Sequence, residues 1–165
     1  MKKSLLKYPV AMFFLLALMT TFNANGVQSQ MDIKKTDHCP VCGMLVDKDL
    51  KWAAKLVMKD GTYYAYDGVK DMLKHYFNIP KYTPKKTADG IKLMTVTDYY
   101  DGKKIDAKSA YYVIGSDVLG PMGPEFIPFK DESSAQEFMN DHKGKSVLRF
   151  QDITMETVSG VESGH

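Results

Sequence analysis

The sequence predicts an α+β protein: two similar ββαβ units packed together behind an N-terminal signal peptide. Three observations predict it. Apolar runs of strand length are punctuated by turn residues. Two amphipathic stretches, Val69/Met72/Leu73/Tyr76 and Ala135/Phe138/Met139/His142, carry the i, i+3, i+4, i+7 spacing of a helix face. And strand, strand, helix, strand occur twice in that order.

The first residues read as an address. Lys2, Lys3 and Lys7 form a basic start, and Tyr8 to Met19 is an apolar run of twelve residues broken by Pro9. Polar residues follow, and Ala24-Asn25-Gly26 offers small side chains for cleavage after Gly26. Twelve residues are short for a bilayer span. An uncleaved anchor is the alternative, and the absence of cysteine there excludes lipid attachment. The expected location is the periplasm.

Removing the signal takes the net charge from +2 to −1, with 19 basic residues against 20 acidic and Arg149 the only arginine. That lack of a basic block excludes nucleic acid as a partner.

In the first unit, Trp52 to Met58 reads as a strand, Lys59-Asp60-Gly61 as a hairpin turn and Thr62 to Tyr66 as a second strand. Asp67 is the expected helix N-cap, Pro80 the helix stop, and Ile91 to Thr97 the next strand. In the second unit Ala110 to Ile114 is a strand. A glycine-rich loop runs from Gly115 to Gly123. Pro128 places Phe126 to Phe129 at a sheet edge. Ser134-x-x-Glu137 offers a capping box, Gly144 ends the helix, and Ser146 to Phe150 is the last strand. The resulting organisation is a signal peptide (1–26), a flexible segment (27–36), a first unit (37–98), a linker (99–108), a second unit (109–158) and a disordered tail (159–165).

The chemistry sits in Cys39-Pro40-Val41-Cys42-Gly43-Met44, which holds the only two cysteines. An exported chain joins its cysteines as a rule, but this pair closes too small a loop to stabilise much. A metal-binding or reactive pair is the stronger reading. The pattern followed by Tyr63-Tyr64-Ala65-Tyr66 resembles zinc- and copper-handling treble-clef domains. The second knuckle cysteine those domains have near Tyr66 or Asp67 is absent. A structural zinc site needs four ligands, and no second cysteine pair supplies them. A thiol-disulfide oxidoreductase using Cys39 and Cys42 needs a cysteine at a helix N-terminus, and no helical stripe follows. Thiolate and thioether select Cu(I), the reading these residues favour.

Further ligand candidates are Met122, His38 and Met44. Met122 is framed by proline and glycine in Gly120-Pro-Met-Gly-Pro-Glu125, on a loop longer than a hairpin needs; ligand and core plug are both open. His38 offers a nitrogen. Met44 is either a ligand or part of the apolar floor. Met58, Met72, Met94 and Met139 fall on strands and stripes and read as core, while His75 and His142 read as surface or rim. No serine-elbow, zincin or phosphate-loop motif is present, which argues against an enzyme.

Taken together, the Cys39–Met44 motif, Val96-Thr-Asp-Tyr-Tyr100, Asp106-Ala107, Ala110-Tyr-Tyr-Val-Ile-Gly-Ser116, Gly120-Pro-Met-Gly123, Ile127-Pro-Phe129 and Val147-Leu-Arg-Phe150 resemble the NosL family. The resemblance covers about Asp37 to Thr157. It implies an exported Cu(I) chaperone whose acceptor is the maturation machinery of nitrous oxide reductase, a membrane ABC transporter with its periplasmic subunit. The implied ligands are a cysteine of Cys39/Cys42 and Met122. Two features depart from the family's pattern: no lipobox cysteine is present, and Pro124 stands where many members have histidine.

Overall fold

A computed structural model describes residues 32–164. The signal-peptide expectation lies outside them. Among the described residues no helix is long and apolar enough to cross a membrane.

The chain forms two antiparallel sheets. The first contains β1 (Ala54–Met58), β2 (Tyr63–Tyr66), β3 (Ile91–Thr97) and β4 (Lys104–Asp106), in the order β2-β1-β3-β4. The second contains β5 (Tyr111–Ile114), β6 (Ile127–Phe129) and β7 (Ser146–Arg149), in the order β6-β5-β7. In both, the first strand of the unit lies between its second and third. The helices are α1 (Val69–Phe77), the short α2 (Ile79–Tyr82), α3 (Glu132–Asp141) and α4 (Met155–Glu162). The repeat read from the sequence is thus a repeat of topology, with β4 added to the first unit and α4 to the second.

Local chemistry fixes these elements. Gly61 takes φ 87° at the β1–β2 turn, a conformation that costs glycine nothing. Pro128, which cannot donate to a central ladder, lies on the edge strand β6 as expected. Its carbonyl accepts from Tyr99 N at 2.9 Å. Asp98 Oδ2 accepts from Lys130 N at 2.7 Å, so the edge is tied to the first unit.

The hydrophobic core crosses the boundary between the units. Leu56, Tyr66, Met72, Leu73, Met94 and Val96 pack with Tyr112 of the second sheet, with Phe126 just before β6, and with Val158 and Val161 of α4. A smaller cluster gathers Trp52, Val113, Ile127, Phe129, Ala135 and Phe138. Neither unit encloses this interior alone. That ties the relative position of the units to the hydrophobic effect, the dominant favourable term in folding.

Several expectations are corrected. The stretch 99–108 is no mere linker, because Lys104–Asp106 pairs with β3. The chain from Met155 to Glu162 is helical, so residues 159–162 belong to a helix and not to a disordered tail; Val158 and Val161, spaced i, i+3, are buried against α1. Helix α3 is capped by Asp131, whose Oδ1 accepts from Ser134 N at 2.8 Å, not by Ser134 itself. Pro80 sits in the first turn of α2, where its missing N–H is harmless, and α1 has already ended at Phe77. His75 is buried, not on the surface. Its Nδ1 meets Tyr66 Oη at 2.7 Å and its Nε2 meets Thr83 Oγ1 at 2.9 Å. Burial pushes its pKa down to about 4, so it is neutral at physiological pH.

Candidate metal centre

The segment Cys39–Met44 folds into a closed turn. Cys39 N donates to Met44 O and Gly43 N to Cys39 O, each at 2.8 Å. Gly43 takes φ 80°, which a side chain would resist. The turn aims backbone N–H groups of Val41 and Cys42 at Cys39 Sγ, and that of Met44 at Cys42 Sγ. Both cysteines are free thiols.

Opposite this turn stands the start of α1. Asp71 lies in its first turn, and Asp67 lies four residues earlier on the same side. Cys39 Sγ donates to Asp71 Oδ2 at 3.3 Å, and Cys42 Sγ donates to Asp67 Oδ1 at 3.1 Å. The ligand atoms of Cys39, Cys42, Asp67 and Asp71 all lie within 4.8 Å of one another. Asp67 Oδ2 is buried with no hydrogen-bond partner. An unpartnered carboxylate oxygen is costly to bury, and here it leaves a donor unused beside two thiols. The donor chemistry suits a metal ion.

Electrostatics keeps the thiols protonated. Burial is the main cause, pushing the Cys42 thiol up to about 11 and the Cys39 thiol well above the usual range. The neighbouring carboxylates add to it, Asp71 at Cys39 and Asp67 at Cys42. A disulfide-exchange nucleophile needs the reverse, an accessible thiol of lowered pKa. Cys39 is 2 % exposed.

Cys42 lines a cleft of about 490 Å³ together with Val41, Lys70, Asp71, Lys74, Met122 and Glu162. Met122 comes from the second unit, on the tip of a tight loop. Gly120 N donates to Gly123 O at 2.9 Å, and Gly123 N donates back at 3.1 Å. Its side chain is 47 % exposed, so it is not the core plug that was the other reading. The structure therefore places Cys42 and Met122 on one cleft, and groups Cys39 with Cys42, Asp67 and Asp71 beside it. His38 is exposed and outside the four-residue group; its Nδ1 meets Gly43 O at 2.9 Å, which braces the turn. Met44 is half-buried and does not line the cleft.

Asp67 and Asp71 were missed as site residues. Asp67 read as the N-cap of α1, but the cap position is Gly68 and Asp67 turns to Cys42. It occupies the place where a treble-clef pattern would put a second knuckle cysteine. The i, i+4 spacing of two acids at a helix start was the available signal, though acids there ordinarily serve the helix dipole.

The NosL family model matches residues 30–158. The chain belongs to the NosL family. It is 29 % identical over 156 residues to the copper-binding lipoprotein NosL of Stutzerimonas stutzeri, covering 84 % of this chain and 78 % of that protein. The crystal structure of the copper chaperone NosL from Shewanella denitrificans is similar at a TM-score of 0.63 and 25 % identity, over 76 % of this chain and 95 % of that one. The solution structure of apo-NosL from Achromobacter cycloclastes matches at a TM-score of 0.46 and 28 % identity, over 64 % of this chain and 87 % of that one. The Stutzerimonas relative is described as a lipoprotein. This contrasts with the expectation of a lipid-free protein, which rested on the two cysteines both lying in the turn at 39 and 42.

Proposed function

We propose that this NosL-family protein is an exported copper chaperone that carries Cu(I) as cargo between Cys42 and Met122, with Cys39 completing the donor set from behind. The observation that carries this reading is the cleft in which a thiol of the first unit and a thioether of the second face the same space. Sulfur donors favour Cu(I) over hard cations. The relatives described as copper-binding protein and copper chaperone support the same cargo.

Loading is a proton-for-metal exchange. The ligand that binds is the thiolate, so each sulfur that takes Cu(I) releases the proton it now shares with Asp67 or Asp71. Release follows by ligand exchange. An exposed thioether is the weakest and most accessible donor, so an incoming methionine or cysteine of the acceptor displaces Met122 first. The copper then leaves a buried thiol pair that regains its protons. Because the ligands come from two units, a partner that moves the Met122 loop opens the site without unfolding either sheet.

The acceptor in this reading is the maturation machinery of nitrous oxide reductase, a membrane ABC transporter with its periplasmic subunit. The protein works in the periplasm, free or held by its signal segment. The Cys39–Cys42–Asp67–Asp71 set supports a second reading, a divalent ion such as Zn(II), since two thiols and two carboxylates suit tetrahedral zinc.

Anaerobic titration of the reduced protein from Val27 onward, with Cu(I) against a competing chelator and Zn(II) in parallel, separates the two. Tight one-to-one Cu(I) binding that is lost in Cys42→Ser supports the chaperone. Preference for zinc, or weak Cu(I) binding, overturns it.

A further inference from the structure

Two buried charged side chains join the units beside the cleft, and neither is a donor to the metal. Lys70 of α1 is 3 % exposed, and Glu125, just after the Met122 loop, is 4 % exposed. The Lys70 ammonium donates to the carbonyl oxygens of Met122 at 2.9 Å and Pro124 at 2.8 Å. The backbone N–H of Lys70 donates to Glu125 Oε1 at 2.6 Å, and the same oxygen accepts from Phe126 N at 2.9 Å. Each residue thus grips the backbone of the other's unit.

The sequence is shaped to allow this. Helix α1 begins at Gly68 with no side-chain cap of its own. The carboxylate of Glu125 supplies the missing acceptor at the second helical N–H, the role an N-cap side chain normally fills. A Cβ at Gly68 would collide with that carboxylate, which would have to move to admit it. A buried ion of this kind contributes little net stability. What it does contribute is position: it fixes the loop to the turn of α1 that carries Asp71.

We infer that Lys70 is a positioning residue for the metal centre, clamping the Gly120–Glu125 loop so that the Met122 thioether faces Cys42. Without the ammonium the carbonyls of Met122 and Pro124 lose their donor. The loop then keeps only its own Gly120–Gly123 pair and the Glu125 contact. Cu(I) is left with the cysteines. This rests on the reading of Met122 as a ligand.

The test is a cycle of four mature proteins, wild type, Lys70→Leu, Met122→Ala and the double variant, with Cu(I) affinity measured by chelator competition. Supporting residues of metal sites typically cost about 10–100-fold when replaced. Lys70→Leu, which brings no sulfur into the cleft, and Met122→Ala are expected to weaken binding by the same factor in that range, and the double variant no further. Lys70→Arg, which keeps a cationic donor, is expected to retain most of the affinity. X-ray absorption of the Cu(I)-loaded Lys70→Leu protein is expected to show one sulfur fewer than wild type. Should Lys70→Leu fail to fold, Lys70→Gln, too short to reach both carbonyls, takes its place in every arm.

Wild-type affinity in the Lys70 variant, with Met122→Ala weakened, overturns the clamp and leaves the copper reading standing. Multiplying losses in the double variant also overturn it. Wild-type affinity in Met122→Ala removes Met122 from the site and this inference with it.

Discussion

Cys42 Sγ donates its proton to Asp67 Oδ1 at 3.1 Å, across 25 residues of sequence. The contact holds a thiol in its protonated form beside the place where a metal would take the sulfur. Asp67 is a cause of the raised Cys42 pKa, second among the raising causes to burial.

Replacing Asp67 by asparagine exchanges that acceptor for an amide able to donate to a thiolate. The Cys42 pKa, now about 11, is expected to fall. Alkylation of Cys42 by iodoacetamide at pH 8 should speed up about threefold to tenfold, since the thiolate is the nucleophile. An unchanged rate would show that the carboxylate does not set the protonation state.

Copper affinity should climb with pH. At pH 6–8 both thiols are protonated, because Cys42 titrates near 11 and Cys39 higher still. Each thiolate bound displaces one proton, so log K for Cu(I) is expected to rise by about 2 per pH unit, and by about 1 in Cys39→Ser. Chelator competition at a series of pH values measures the slope. A flat profile would contradict thiolate ligation.

Glu125 makes a stability prediction of definite sign. Burial lifts its carboxyl to about 7, above the usual carboxylate range. The native state therefore binds this proton more tightly than the unfolded chain. The contribution is complete below about 4.5, and it is lost as pH rises through about 7. His75, pushed down to about 4, runs the other way, adding stability as pH rises toward about 6.5. The two partly offset, so the comparison is by difference. Glu125→Gln keeps an acceptor for Lys70 N without the charge. It is expected to gain on wild type between pH 5 and 8, by an amount on the order of 3 kcal/mol, in urea unfolding. A pH-independent difference would contradict the shift.

Gly43→Ala tests the turn itself. The space around a Cβ there is open, so the penalty is the left-handed backbone alone, φ 80°. About 1–2 kcal/mol of stability should be lost, read as a lowered Tm, with weaker Cu(I) binding because the turn aims both sulfurs. Unchanged stability would mean that the turn relaxes freely.

Much of the fold was legible because it is local. The stripes of α1 and α3, the Asp60-Gly61 turn and the edge proline Pro128 each carry their signal within a few residues. The misses are long-range. Strand β4 is three residues long and exists by pairing with β3. Helix α4 has only Val158 and Val161 as a buried stripe and is held by packing on α1. In the site, the turn of Cys39 and Cys42 announces itself by spacing, and Met122 by its proline and glycine frame. Asp67, Lys70 and Glu125 do not, since each looks like an ordinary helix-start or loop residue. Only tertiary contact assigns Asp67 to a thiol and Lys70 to the Met122 loop.

The most direct measurement is X-ray absorption at the copper edge of the Cu(I)-loaded protein, beside the same spectrum for Met122→Ala. A sulfur-dominated shell that loses one sulfur in the variant is the predicted result. A shell of oxygen and nitrogen, or identical spectra from both proteins, would contradict a copper site shared between Cys42 and Met122.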